Sequence, residues 1–108
     1  MNYSVLVVWH YNENRGDQPY ITQAHLERRL SVEVGTLVQL YLYPLQGLNP
    51  DPKEKVWVRI TKREVGEGER IGYVYYSGTL ESKPLSEQLP EKGSQIDFTH
   101  SSILEIAP

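Results

Sequence analysis

The strongest constraint on what this chain can fold into is a stretch in which hydrophobic residues recur at every second position. From Glu54 to Glu64, Val56, Val58 and Ile60 fall on one side of the alternation and Trp57, Arg59, Thr61 and Arg63 on the other, as in a strand with two unlike faces. Gly66-Glu67-Gly68 follows as a hairpin loop, and Arg70 to Tyr76, rich in Tyr and Val, returns as the antiparallel partner. Thr36 to Tyr43 repeats the pattern, setting Val38, Leu40 and Leu42 against Leu37, Gln39, Tyr41 and Tyr43, and Pro44 stops it. Strands that share such an alternation need a common layer against which to bury their apolar sides.

The flanking segments carry shorter signals. Tyr3 to Tyr11 contains the continuous apolar run Val5 to Trp9 and reads as a buried strand, and Asn12 to Gln18, with Gly16 and then Pro19, has the chemistry of a surface loop. Thr22 is placed to cap a helix over Gln23 to Leu30, although no Glu at the third position completes a capping box. Leu45 to Lys53, with Gly47, Pro50 and Pro52, reads as a loop, and Glu81 to Lys92, with Pro84 and Pro90, as an irregular connection. Gly78 to Leu80 either extends the second hairpin strand or bends it. Gln95 to Phe98 and Ile103 to Ile106 are short strands on either side of a tight polar turn at Thr99 to Ser102. The expected fold is α+β, mostly β: a small, strongly bent antiparallel sheet or partly open barrel of about five to six short strands, with one helix near residues 22–30. At 108 residues the expectation is a single domain over 1–108.

Composition narrows the function classes. There are no cysteines, which removes disulfide frameworks, thiolate zinc sites and thiol catalysis, and fits a reducing compartment. The longest apolar run is too short to span a bilayer and the N-terminus lacks a signal-peptide pattern, so the expected location is cytoplasmic with no membrane partner. With a net charge of -3 there is no basic surplus to neutralise phosphates, which counts against nucleic acid as a partner.

Several spaced segments together have a familiar arrangement: Val34 to Leu40, Glu54 to Thr61, Gly78-Thr79-Leu80 with Pro84, and Leu89 through Gly93 to Ile96, Phe98 and Ile103. Over about Val34 to Ile106 this series resembles the uncharacterised bacterial family catalogued as domain of unknown function 2314. The resemblance implies a small α+β domain with a Trp-Val signature, a Gly-x-Leu-x-Asn-x-Pro segment and a closing glycine-led strand; it implies no activity and supplies no site. The chain departs from that pattern at Ser82, where the family places Asn, and residues 1–33 have no counterpart in it.

Recognisable catalytic and cofactor motifs are missing. His10, His25 and His100 are far apart and none has a second ligand at helical spacing, so no metal site is expected; no Gly-x-Ser-x-Gly elbow holds a serine. Glu67 and Glu69 lie in a glycine loop where water keeps both ionised, and Gly66-Glu67-Gly68 lacks the third glycine of a dinucleotide fingerprint. Arg15-Gly16-Asp17 spells an adhesion tripeptide in a chain with nothing else extracellular about it. No cofactor is expected.

What rises above background is aromatic: eight Tyr and two Trp, with Tyr41, Tyr43, Trp57, Tyr73 and Tyr75 all in one alternation class of their strands. Either the helix or the N-terminal strand covers these rings as a second layer of core, or part of the face is exposed and, rimmed by Arg59, Arg63 and Arg70, has the composition of a protein-binding hot spot. The leading expectation is a non-enzymatic protein-binding module, an inhibitor, immunity-type or accessory factor of bacterial or phage origin, using Tyr41, Tyr43, Trp57, Arg59, Arg63, Tyr73 and Tyr75. Self-association through the same patch would give a homodimer. The runner-up is a single-stranded nucleic-acid module using a basic strip of Arg59, Lys62, Arg63 and Arg70. A third reading is a small enzyme whose site gathers dispersed residues such as Tyr76, Asp97 and His100.

Overall fold

In the computed structural model, residues 3–7, 23–45 and 51–108 are described. The expected loop at Asn12 to Gln18, the Thr22 cap, His10, the Arg15-Gly16-Asp17 tripeptide, Gly47, Pro50 and the end of the first apolar run lie outside them, as does the side chain of His25.

The alternation expected from the sequence is realised as one six-stranded antiparallel sheet. β1 (Tyr3–Val5), β2 (Leu37–Pro44), β3 (Glu54–Val65), β4 (Val74–Leu80) and β5 (Gln95–Thr99) follow one another across it, and α1 (Gln23–Leu30) stands between β1 and β2 in the chain. β6 (Glu105–Ile106) pairs with β2 through Val38 and Gln39, while β1 pairs with the other half of β2 from Leu42 to Pro44. The two short strands therefore share one edge of β2 and run in the same direction. Leu6 N–H donates to Tyr41 O at 3.0 Å where the first ends, and Leu104 N–H to Gln39 O at 2.8 Å where the second takes over.

One face is sealed. Val38, Leu40 and Leu42 of β2 meet Val56, Val58 and Ile60 of β3, with Val74, Tyr76 and Leu80 of β4 and Ile96 and Phe98 of β5 continuing the layer; Val32, Leu89 and Ile103 fill its ends. A sheet this bent wraps its apolar face around itself, which is how the chain builds a core with a single short α-helix among the described residues. Gly78 is demanded by that curvature. A Cβ there would lie 2.5 Å from Val58 Cγ1 and 2.6 Å from the Arg59 carbonyl oxygen.

The structure departs from the simple alternation at one point that matters for the site. The β3–β4 register shifts between Ile60 and Lys62, so Ile60 opposes Gly78 and Lys62 opposes Ser77, with Thr61 as the extra residue of a β-bulge. Every side chain beyond it changes face. Arg63, expected beside Trp57 and Arg59, instead opposes buried Tyr76 on the core side. It reaches the end of α1, where its Nε and Nη2 both donate to the Leu30 carbonyl, at 3.2 and 2.6 Å. A cation on the last carbonyls of a helix satisfies groups the helix leaves open and complements its dipole. The hairpin return also begins later than expected: Gly68–Arg70 form a 3₁₀ turn and Tyr73 precedes β4.

Tyr76 fixes the helix from below. Its hydroxyl donates to Arg29 O at 2.7 Å and accepts from Val32 N–H at 3.1 Å, while its ring stacks on Phe98 with centroids 5.6 Å apart. The chain leaving α1 is thereby tied to the middle of the sheet.

Candidate functional site

The outer face of the sheet carries the tyrosines and tryptophan singled out from the sequence, divided between its two ends. At one end Tyr41 and Tyr43 follow one another on the outer side of β2 and Trp57 of β3 opposes Gln39, all three rings half-buried, and the ammonium groups of Lys53 and Lys55 stand 4.8 and 5.7 Å from the Tyr41 ring centre. The main chain at Trp57 is held on both sides: its N–H donates to Ser82 Oγ at 2.8 Å and its carbonyl accepts from Glu81 N–H at 2.9 Å. Ser82 thus extends the ladder past the end of β4, which an Asn at that place would also do.

Tyr73 and Tyr75 sit at the opposite end. Trp57 lies across from Glu81, and the path along β4 from there to Tyr75 is roughly 20 Å at about 3.3 Å per residue. The seven residues expected to form one patch, Tyr41, Tyr43, Trp57, Arg59, Arg63, Tyr73 and Tyr75, therefore fall into two aromatic clusters, with Arg59 between them and Arg63 on the other face. None of the five rings is sealed: Tyr41, Tyr43, Trp57 and Tyr75 are half-buried and Tyr73 is exposed.

The basic strip does not assemble. Arg59 is engaged with Glu81 at 3.2 Å and donates to the Gly35 carbonyl at 2.8 Å, and Lys62 stands 3.9 Å from Glu64. Arg63 caps the helix. Only Arg70 of the set lies against aromatic rings, its guanidinium 5.7 Å from the centre of Tyr75.

Three exposed large apolar groups lie at the end of the β3–β4 hairpin, the others among the described residues being Val7, Val34, Leu45 and Leu85. Val65, the last residue of β3, is 54% exposed, and Ile71 and Tyr73 in the turn that follows are 75% and 49% exposed. The Tyr73 ring stacks on Tyr75 at 6.3 Å and lies 6.0 Å from His100, which anchors the tyrosine pair at the base of the turn. The turn itself is braced: Gly66 N–H donates to Tyr73 O at 2.8 Å and Tyr73 N–H to Arg70 O at 3.1 Å. A groove of about 460 Å³ runs beside it, bordered by Val65, Arg70, Tyr75 and Thr99. Ile71 carried no signal in the sequence, because a lone Ile after a charged turn reads as the first residue of a buried strand.

A second exposed apolar group stands on the connection between β4 and β5. Leu85 is 94% exposed, on a loop whose backbone is held by the Glu54 carboxylate, which accepts from Leu85 N–H at 2.8 Å and Ser86 N–H at 2.9 Å. Ser86 Oγ donates to Asp51 at 2.5 Å, and Leu89 is buried beneath. The pairing of Glu54 with residues so distant in sequence could not be read from spacing.

The dispersed residues of the enzymatic reading do not converge. Tyr76 and His100 are buried, while Asp97 points to the outer face, where Ser77 Oγ donates to it at 2.7 Å and Gln95 Nε2 at 3.0 Å. Those hydrogen bonds hold its carboxyl below the ordinary 3.8. Burial, aided by the charge of Arg29, holds the His100 imidazole below its ordinary 6.5, and Val74 N–H donates to its Nδ1 at 3.3 Å. The Arg29 guanidinium is itself buried, with no hydrogen-bond partner for Nε or Nη1 among the described residues, and burial lowers its pKa. Among the described residues no group of His, Asp and Glu is placed to hold a metal ion, and no helix is long and apolar enough to cross a membrane.

Searches of family models, of curated proteins and of solved structures found no match to this chain.

Proposed function

We propose that the protein is a non-enzymatic protein-binding module that works by occluding or bridging a partner, as an inhibitor, immunity-type or accessory factor does, and that the partner docks on the end of the β3–β4 hairpin. The observation that carries this reading is the exposure of Ile71 and Tyr73 on a braced turn with the Arg70 guanidinium over the Tyr75 ring, next to exposed Val65 at the end of β3. Tyr, Arg and a large aliphatic residue in one small area are the composition of a binding hot spot, and a turn that is already rigid loses little entropy on docking. The half-buried cluster of Tyr41, Tyr43 and Trp57 then serves mainly to stiffen the sheet. The cytoplasm is the compartment this reading assigns, and the resemblance of about Val34 to Ile106 to domain of unknown function 2314 is kept as a proposal of kinship.

The test is capture of a partner from the native host by the parent chain, by Ile71→Ser with Tyr73→Ser, and by Trp57→Leu. The hairpin variant should lose the captured protein while keeping its thermal midpoint, because the exposed groups contribute little to folding. Equal capture by the hairpin variant and the parent would overturn this placement.

The single-stranded nucleic-acid reading is left with little support, since two of the arginines in its basic strip, Arg59 and Arg63, are committed to Glu81, Gly35 and the end of α1.

A further inference from the structure

The sheet bends far enough to bring β1 and β5 to the two sides of one groove, yet among the described residues they form no ladder with each other. A groove of about 310 Å³ lies between them. Successive pairings are all antiparallel, so β1 and β5 run in the same direction. Direct closure would need a parallel pair. A single added strand running the other way would instead be antiparallel to both neighbours, the arrangement of every other pair in this sheet.

The hydrogen-bond phase of each strand says which backbone groups face the gap. Leu6 donates to Tyr41, so Ser4 and Leu6 direct their N–H and C=O groups toward β2, and Tyr3, Val5 and Val7 direct theirs away from it. On the far side Leu80 N–H donates to Ser94 O, which places Ile96 and Phe98 in phase with β4 and turns the backbone groups of Gln95, Asp97 and Thr99 outward. These six residues all line the groove, and Ser102, in the 3₁₀ turn that leads from β5 toward β6, lines it too. Two strand edges with no ladder partner among the described residues thus face one another across a slot, and such an edge is a template for another chain.

We infer that the slot between β1 and β5 receives an extended peptide segment of a protein partner, which adds a strand antiparallel to both edges and completes the barrel. The lining fixes the character of that segment. Tyr3, Val5 and Phe98 belong to the core side, so alternate residues of the peptide that point inward must be apolar. Ser4 and Asp97 belong to the outer side, so a residue pointing outward beside Asp97 is best a Lys or Arg. The Asp97 carboxylate also raises the pKa of the Tyr3 hydroxyl, after burial itself, which puts that charge within reach of the slot. Recognition would follow the general mode of strand addition, in which main-chain bonds give affinity and alternate side chains give selectivity. The slot shares Asp97, Phe98 and Thr99 with the groove beside the hairpin turn but includes neither Ile71 nor Tyr73, so variants at those two residues distinguish the two sites.

The experiment uses the full-length chain labelled with ¹⁵N and the synthetic peptide acetyl-Thr-Val-Lys-Val-Thr-amide at about 1 mM, a concentration that gives about tenfold protection when the dissociation constant is about 0.1 mM. Amide exchange at Val5, Val7, Asp97 and Thr99 should slow by about tenfold, while Ile96 and Phe98, already bonded to β4, should not change. N-methylation of the peptide at alternate residues should abolish the effect. Asp97→Lys should reverse the preference, so that the same peptide with Glu in place of Lys binds better; protection of Ile96 and Phe98 in that variant reports that β5 is still in place. Ile71→Ser with Tyr73→Ser should bind the peptide as the parent does, which separates this test from the hairpin reading. No slowing with the peptide, or slowing that survives N-methylation, would overturn the proposal. So would protection of the same amides that rises with protein concentration alone, which would assign the slot to a second copy of the chain.

Discussion

Replacing Tyr76 by Phe removes one oxygen atom and leaves the ring that stacks on Phe98. In the parent chain that oxygen answers two backbone groups at once, the Arg29 carbonyl and the Val32 N–H, at the place where α1 turns back toward the sheet. Both Arg29 and Val32 are buried, so water does not take over when the hydroxyl goes. Each buried group left without a partner costs about 1–3 kcal/mol, and some relaxation of the chain after α1 should recover part of it, giving a loss of about 3 kcal/mol. For a domain of this size, 1 kcal/mol moves the thermal midpoint by about 4–8 °C, so the expected fall is on the order of 15 °C. Differential scanning calorimetry measures it, with Tyr75→Phe as the control. Tyr75 is on the outer face and makes no such bridge, and its variant should stay within about 0.5 kcal/mol of the parent. A Tyr76→Phe midpoint indistinguishable from that of Tyr75→Phe would refute the claim that this hydroxyl tethers the helix.

The remaining predictions concern the bulge, the bent strand and the buried charges. Arg63→Met removes the cation from the Leu30 carbonyl and should destabilise the chain by about 1 kcal/mol in urea unfolding, whereas Lys62→Met, on the solvent face, should have no measurable effect. Gly78→Ala must push Val58 or the Arg59 backbone aside and should cost at least about 2 kcal/mol by the same assay. Arg29→Met trades a buried guanidinium with no partner for two of its nitrogens among the described residues for an apolar group of similar length, and should leave stability unchanged or raise it by about 1 kcal/mol. Because the folded chain holds His100 below its ordinary 6.5, the unfolded chain binds the proton more tightly. Stability is then full above about pH 6.5 and falls as the pH drops through that value; urea midpoints should show this slope in the parent and a flatter one in His100→Gln.

Much of the architecture was legible because it rests on local alternation. Val38, Leu40, Leu42, Val56, Val58 and Ile60 follow a period of two, and that pattern alone places them on one buried face. Gln23 to Leu30 was legible as a helix from its residue types. The bulge was not legible, because Thr61 is β-branched, sits comfortably in a strand and continues the polar alternation without interruption; only pairing with Gly78 and Ser77 reveals the extra residue. One hidden residue was enough to send Arg63 to the other face, and the later start of β4, at Val74, set Tyr73 and Tyr75 at the far end of the sheet from Trp57. The shared edge built from β1 and β6 was invisible for a different reason. It depends on two ends of the chain meeting on β2, a long-range fact that no local pattern encodes. The binding surface was half legible: the tyrosines stood out by composition, while Ile71, Val65 and Leu85 became notable only through their exposure.

The account depends most on the hairpin end being the surface that a partner covers. Hydroxyl-radical footprinting of the chain, alone and bound to its captured partner, tests this directly. In the free chain Ile71 and Tyr73 should oxidise readily and Tyr76 hardly at all, and on binding the first two should become protected while Leu85 keeps its rate. Protection that falls on Trp57 and Tyr41 and leaves Ile71 and Tyr73 reactive would contradict the placement of the site.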